Sequence, residues 1–201
     1  MSADSSCQPR RRVCVFCGSS RGRHEDYGAA AAELGVALAR QDIGVVFGGG
    51  KIGLMGVVAD AALAARGHVV GVIPTFLSAR EIAHAGLPDL RVVRSMHERK
   101  ALMASLADAF IVLPGGMGTF EEMCEVLTWA QLGLHAKPVG LLNVRGYFDP
   151  FIALLDRAVD DGFMRDGHRA LLTVEADVQT LLDALARRWP SSTTPVDEAR
   201  V

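Results

Sequence analysis

Within Pro114-Gly115-Gly116-Met117-Gly118-Thr119-Phe120-Glu121-Glu122, a glycine turn, a helix start and two carboxylates follow directly on the apolar run Ala109-Phe110-Ile111-Val112-Leu113. Such a run reads as a strand buried on both faces. Glycine amides at a helix N-terminus, with the positive end of the dipole behind them and no side chains in front, form a pocket for an anion such as phosphate. A plainer reading exists for each part. Thr119-x-x-Glu122 is a capping box, and glycines between a strand and a helix commonly only turn the chain. The run is nevertheless longer than a turn requires, and a cap needs one acid rather than adjacent Glu121 and Glu122.

A second segment, Ser95-Met96-His97-Glu98-Arg99-Lys100, places two cations in or just after the first turn of a helix opened by the capping box Ser95-x-x-Glu98. Cations there oppose the helix dipole, at a cost of some tenths of a kcal/mol each, and a bound anion would offset it. A solvated basic patch is the plain alternative, and His97 has no ligand partner in the sequence. Two further glycine loops end apolar runs: Cys17-Gly18-Ser19-Ser20, and Gly48-Gly49-Gly50-Lys51-Ile52-Gly53. Gly48, Gly49 and Gly50, with Gly18, Ser19 and Ser20, are candidates for a phosphate loop.

The Gly48-x-Gly50-x-x-Gly53 spacing matches a dinucleotide fingerprint, but the next apolar run ends in Pro74 and Thr75 without the acid that would hold an NAD ribose. Lys51 is followed by Ile52 rather than Ser or Thr, so a P-loop is excluded as well. A mononucleotide or sugar phosphate remains. Cys14-x-x-Cys17 lies inside a strand rather than at a helix start, and no second Cys/His pair completes a zinc site, so reduced, partly buried thiols are expected and no metal.

These loops need a scaffold that gathers them. Apolar runs over 13–16, 43–47, 69–73, 91–93, 109–113 and 139–142, with a short one at 171–174, alternate with helical segments over 27–40, 54–65, 96–107, 120–132, 150–160 and 178–188. That alternation predicts a Rossmann-like, doubly wound α/β fold with a mostly parallel sheet of six to seven strands and helices on both faces. Ligands of such sheets bind outside the carboxyl ends of the strands, where the glycine loops fall. A length of 201 residues suits one α/β domain over 13–189, between polar tails 1–12 and 190–201 expected to be flexible. Half of the residues are hydrophobic and the net charge is −2, which speaks against a nucleic-acid partner. No leader-like or membrane-length apolar segment appears, so a cytoplasmic protein without membrane contact is expected.

With these residues in view, the chain resembles the LONELY GUY family of cytokinin riboside 5'-monophosphate phosphoribohydrolases, also catalogued as lysine decarboxylase-like. The likeness rests on Pro114 to Glu122, with Cys17-Gly18-Ser19-Ser20, Gly48-Gly49-Gly50, Arg80-Glu81-Ile82, Met96-His97-x-Arg99-Lys100 and Thr128-Trp129-Ala130-Gln131. The resemblance implies hydrolysis of the N-glycosidic bond of a nucleoside 5'-monophosphate, AMP or an N6-substituted relative, to free base and ribose 5-phosphate, without a cofactor. It also implies that Arg99 and Glu122 are the catalytic pair. Glu81, Arg99, Lys100, Gly115, Gly116, Met117, Gly118, Thr119, Phe120, Glu121 and Thr128 match its nucleotide-contacting positions. A homodimer with active sites near the shared interface is implied too. Met117 stands where plant members have an aromatic residue, and Phe120 where a Leu is common, which bears on base preference rather than on reaction class.

Cleavage of an N-glycosidic bond passes through an oxocarbenium-like sugar, and a carboxylate beside the ribose stabilises that charge. Glu121 or Glu122 can serve, and at a helix N-terminus either is expected to stay ionised. Arg99 can pair with phosphate and orient the acid, or assist the departing base; since it does not readily release a proton, electrostatics and positioning are preferred to acid catalysis. A pyridoxal-dependent decarboxylase would need a Schiff-base lysine, and Lys51, Lys100 and Lys137, the only lysines, stand in no such motif. A non-catalytic carrier of a nucleotide or of molybdenum cofactor on the same fold is the alternative. Asn143 is expected in a turn, His168 in a surface loop, and Trp129 in a core or interface beside Val126, Leu127 and Leu132.

Overall fold

Val13 and Val15 pack on one side of a sheet while Cys14 and Phe16 pack on the other, the two-residue period of a strand buried on both faces. The computed structural model describes residues 11–78 and 83–189. Seven strands form an all-parallel sheet: β1 (Arg11–Phe16), β2 (Ile43–Phe47), β3 (Val69–Pro74), β4 (Asp89–Val93), β5 (Ala109–Val112), β6 (Val139–Leu142) and β7 (Leu172–Glu175). Their order is β4-β3-β2-β1-β5-β6-β7. The expected Rossmann-like doubly wound architecture is therefore present, with β1, β3 and β4 longer by one or two residues than read, β5 shorter by one and β7 shifted by one.

Helices α1 (Glu25–Arg40), α2 (Gly53–Ala64) and α8 (Val178–Arg188) cover one face through residues such as Leu34, Leu38, Val58 and Leu181. On the other lie α4 (Met96–Leu106), α5 (Met117–Gln131) and α6 (Asp149–Asp160), the first two contributing Met103, Met123, Val126 and Trp129. Two short helices, α3 (Thr75–Ser78) and α7 (Asp166–Arg169), and a 3-10 turn at Val144–Gly146 were not read from the sequence. Four-residue helices leave no periodic pattern to detect.

Three expectations are corrected. Strand β1 opens at Arg11, inside the expected N-terminal tail: Arg11 and Arg12 pair in register with Ile43 and Gly44, and Arg11 lies over the Trp189 ring, 4.7 Å from its centroid. The tail residues before it, and 190–201, lie outside the described residues. Helix α5 begins at Met117 with Gly116 as N-cap, so Thr119 is a buried first-turn residue and not a cap. Val126 and Trp129 are buried against the sheet of this same chain, so they are not free to form a dimer face; of the four residues expected there, only Leu132 is strongly exposed.

Cys14 and Cys17 are free and buried and belong to the cores on opposite faces of the sheet, while Cys124 is free and exposed. Asn143 closes the turn after β6: its Oδ1 accepts from the Phe148 amide at 2.8 Å and its Nδ2 donates to Asp149 at 2.7 Å.

Candidate active site

The order reverses at β1, whose neighbours are β2 and β5, and the loops leaving these strands meet at the carboxyl edge. Gly18 N–H donates to the Pro114 carbonyl at 3.0 Å, joining the β1 and β5 loops. Leu54 N–H donates to the Gly18 carbonyl at 3.0 Å, joining the start of α2 to the same point. Gly53, at φ +63°, makes that approach feasible, since a Cβ there would overlap the Ser19 and Ser20 backbone. This crevice is the topological switch point at which doubly wound sheets bind ligands.

A cavity of about 400 Å³ opens there. Ser19, Gly48 and Gly50 reach it from the first two loops, Gly116, Met117, Gly118 and Thr119 from the start of α5, and Arg99, Glu121 and Glu122 from α4 and α5. Its apolar wall consists of Ile52, from the second glycine loop, and of Met55, Ile73, Leu77 and Met96, which the glycine motifs did not announce because they come from four separate elements. Gly18, Ser20, Gly115, Tyr27 and Tyr147 line an adjoining cavity of about 290 Å³ that shares Ser19 and Gly116 with the first.

Other expected residues stand elsewhere. Gly49 lies behind the cavity at φ +72°, against Ile73 and Leu90. Phe120 packs edge-on to Phe148, ring centroids 6.4 Å apart. Thr128 is exposed, donates to the Cys124 carbonyl at 2.7 Å and borders a different, smaller cavity between α5 and α6. Glu81, with Arg80 and Ile82, lies outside the described residues. The capping box at Ser95 holds in part: Ser95 Oγ accepts from the Glu98 amide at 3.1 Å, while the Glu98 carboxylate accepts from the amide of Arg94, one residue earlier than the motif predicts.

The two cations of α4 both have protein partners. Lys100 Nζ donates to Glu121 at 2.5 Å and to Glu125 at 2.8 Å. Burial works against its charge, but these two bonds prevail and raise its pKa. Arg99 is 9% exposed; its Nε donates to the Val72 carbonyl at 3.2 Å and its Nη1 lies 3.6 Å from Glu122 Oε1. The guanidinium occupies the space a side chain at Gly48 would fill, so Gly48 is the socket for Arg99.

Glu122 is also 9% exposed, and burial pushes its pKa from 4.5 to about 7, a rise that Arg99 only partly opposes. The expectation of a permanently ionised acid is thereby corrected. Because α5 starts at Met117, Glu122 sits in its second turn, where the helix dipole has faded and desolvation dominates. A carboxyl poised near neutrality can accept and return a proton at working pH. The same burial raises the pKa of Cys14 and Cys17, leaving these thiols protonated and inert.

The family described as "Possible lysine decarboxylase" matches residues 55–185. The cytokinin riboside 5'-monophosphate phosphoribohydrolase LOG of rice (Oryza sativa subsp. japonica) is 54% identical over 162 residues, covering 81% of this chain and 67% of that protein. The enzyme of that name from Arabidopsis thaliana, LOG3, is 47% identical over 180 residues, or 90% of this chain and 84% of its own length. The chain belongs to the LONELY GUY family.

Among solved structures, the molybdenum cofactor carrier protein of Chlamydomonas reinhardtii matches with a TM-score of 0.66 at 22% identity, covering 89% of this chain and 97% of that one. The X-ray structure of TM1055 gives the same score and identity over 88% and 99%. At that identity the likeness is one of fold. In this LONELY GUY chain no lysine is among the described residues lining the cavity, Lys100 is held in ion pairs, and Lys137 is buried with its Nζ on the Ala104 carbonyl at 2.8 Å.

Proposed function

We propose that this protein is a hydrolase that cleaves the N-glycosidic bond of a nucleoside 5'-monophosphate, AMP or an N6-substituted relative of the cytokinin type, releasing the free base and ribose 5-phosphate. Membership of a family whose members at about half identity are named for that reaction supports it. The observation that carries it is the buried Arg99 and Glu122 pair beside the glycine-rich start of α5. Glu122, ionised, takes a proton from water as its oxygen bonds to C1' and the bond from C1' to the base breaks. Its carboxylate meanwhile offsets the positive charge gathering on the sugar. The base leaves with the bonding electrons and receives a proton, which a carboxyl titrating near 7 can return. Arg99 cannot readily supply that proton; it attracts the Glu122 carboxylate without a hydrogen bond and offsets negative charge.

The amides of Gly116, Met117 and Gly118 suit the 5'-phosphate, with the Ser19 loop beside them, and the apolar wall from Ile52 to Met96 suits the base. Catalysis needs no cofactor in this scheme, and a cytoplasmic site of action stays part of the proposal. Among the described residues no helix is long and apolar enough to cross a membrane. A homodimer is also part of it. Leu132, Leu154 and Phe163 are 66%, 63% and 89% exposed, and Thr128, placed away from the cavity of its own chain, is available to a neighbouring copy.

Incubation with AMP, N6-isopentenyl AMP and adenosine, read by chromatography for released base, tests the reaction. Both monophosphates release base and adenosine is a poor substrate. Equal turnover of adenosine and AMP would contradict the phosphate requirement, and binding of the nucleotides with no base release would favour the carrier reading.

A further inference from the structure

Pro114-Gly115-Gly116 places one peptide unit between two glycines, with no Cβ on either side to resist its rotation. A flip of that unit would turn the Gly115 carbonyl toward a bound anion in place of the Gly116 amide. The structure holds it from the side of the adjoining cavity, which Tyr147 lines: Tyr147 Oη donates to the Gly115 carbonyl at 2.5 Å. The described peptides are all trans, so an oxygen held toward Tyr147 leaves the Gly116 N–H directed the opposite way.

Tyr147 is itself braced. It follows the 3-10 turn Val144–Gly146, in which Arg145 takes the left-handed φ of 58°, unusual for a side chain of its size. Arg145 is tied to Asp26 of α1 at 2.8 Å, and Asn143 spans the turn with the bonds to Phe148 and Asp149 given above. The Tyr147 ring meets Tyr27 edge-on at 5.9 Å and Phe148 at 4.9 Å. Strain of this kind persists where the surroundings over-determine it.

We propose that Tyr147 is a positioning residue that locks the Gly115 to Gly116 peptide so that the loop presents an amide, not a carbonyl, to the substrate phosphate. The inference rests on the nucleotide reading for its natural ligand, but its test does not need turnover. Tyr147→Phe keeps the ring packing and removes the lock. Ribose 5-phosphate binding, measured by calorimetry, weakens about five- to tenfold in the variant, the effect of losing one hydrogen bond. The KM for AMP rises by a similar factor with kcat within about twofold, and inhibition by free adenine is unchanged.

Unaltered ribose 5-phosphate binding in a folded Tyr147→Phe protein would overturn the lock. Equal weakening toward adenine and ribose 5-phosphate would reduce Tyr147 to general packing and overturn it too. A wild-type protein that binds ribose 5-phosphate more tightly than the variant yet releases no base would leave the lock standing and remove the hydrolase reading. Failure of the wild type to bind ribose 5-phosphate would overturn the phosphate assignment and the lock together.

Discussion

Arg99 Nη1 and Glu122 Oε1 lie 3.6 Å apart beneath the carboxyl edge of the sheet, brought together from α4 and α5 although neither helix's sequence names the other. Each side chain is 11% exposed, so the pair is nearly shielded from water and still opens to the cavity. The separation exceeds a hydrogen bond, and Arg99 is anchored instead on the Val72 carbonyl. Glu122 is thus attracted to a fixed cation without being locked to it, which leaves it free to titrate and to meet substrate.

Glu122→Gln and Arg99→Ala each lower base release from AMP by about a hundredfold or more, the scale of one lost electrostatic contact in a buried site, about 3 kcal/mol. Circular dichroism of both variants remains that of the wild type. An active Glu122→Gln enzyme would transfer the chemistry to Glu121 or away from both acids.

The pH dependence of kcat/KM reports the same carboxyl. With Glu122 acting as base, the rate rises with pH through a midpoint near 7. A limb that instead falls at that midpoint would assign Glu122 to protonating the departing base from the start.

Stability should show the buried carboxyl independently of catalysis. The native state binds the Glu122 proton more tightly than the unfolded chain between pH 4.5 and 7, so ionisation withdraws stability as pH rises through that window, by about 3 kcal/mol. His135 works in the opposite sense. Burial lowers its pKa from 6.5 to about 4, with its ring held neutral between the Val126 carbonyl and the Lys137 amide, so its contribution is complete above 6.5 and fades as pH falls toward 4. Glu122→Gln therefore melts several degrees above the wild type at pH 8, and its melting temperature climbs from pH 4.5 to 6.5 where the wild type stays nearly flat. A variant less stable than wild type at pH 8 would contradict this.

Gly48→Ala tests the socket. A methyl there overlaps the guanidinium of Arg99, a flexible end that can move, so the fold survives while the cation shifts off the Val72 carbonyl and away from Glu122. Base release falls at least tenfold, a common consequence of a small misplacement at a reacting centre, with a melting temperature close to wild type. Wild-type turnover would show that the position of Arg99 is not critical.

The alternation of apolar runs and amphipathic segments by itself determined the doubly wound sheet, because strand and helix periods are local properties of the chain. The glycine motif from Pro114 to Glu122 likewise marked a loop at a strand end, and Asn143 a turn, since both depend on near neighbours. Only the tertiary structure decided where α5 begins, and with it the protonation of Glu122: a start at Met117 rather than Phe120 moves the acid out of the first turn and under the sheet edge, where desolvation outweighs the dipole. Only the fold brought Glu121 and Glu125 onto Lys100, and of the core and the interface left open for Trp129 it is the core that the sheet provides. Burial, and the pairing of groups distant in sequence, depend on how helices close over a sheet, and no local pattern encodes the free energy of that closure.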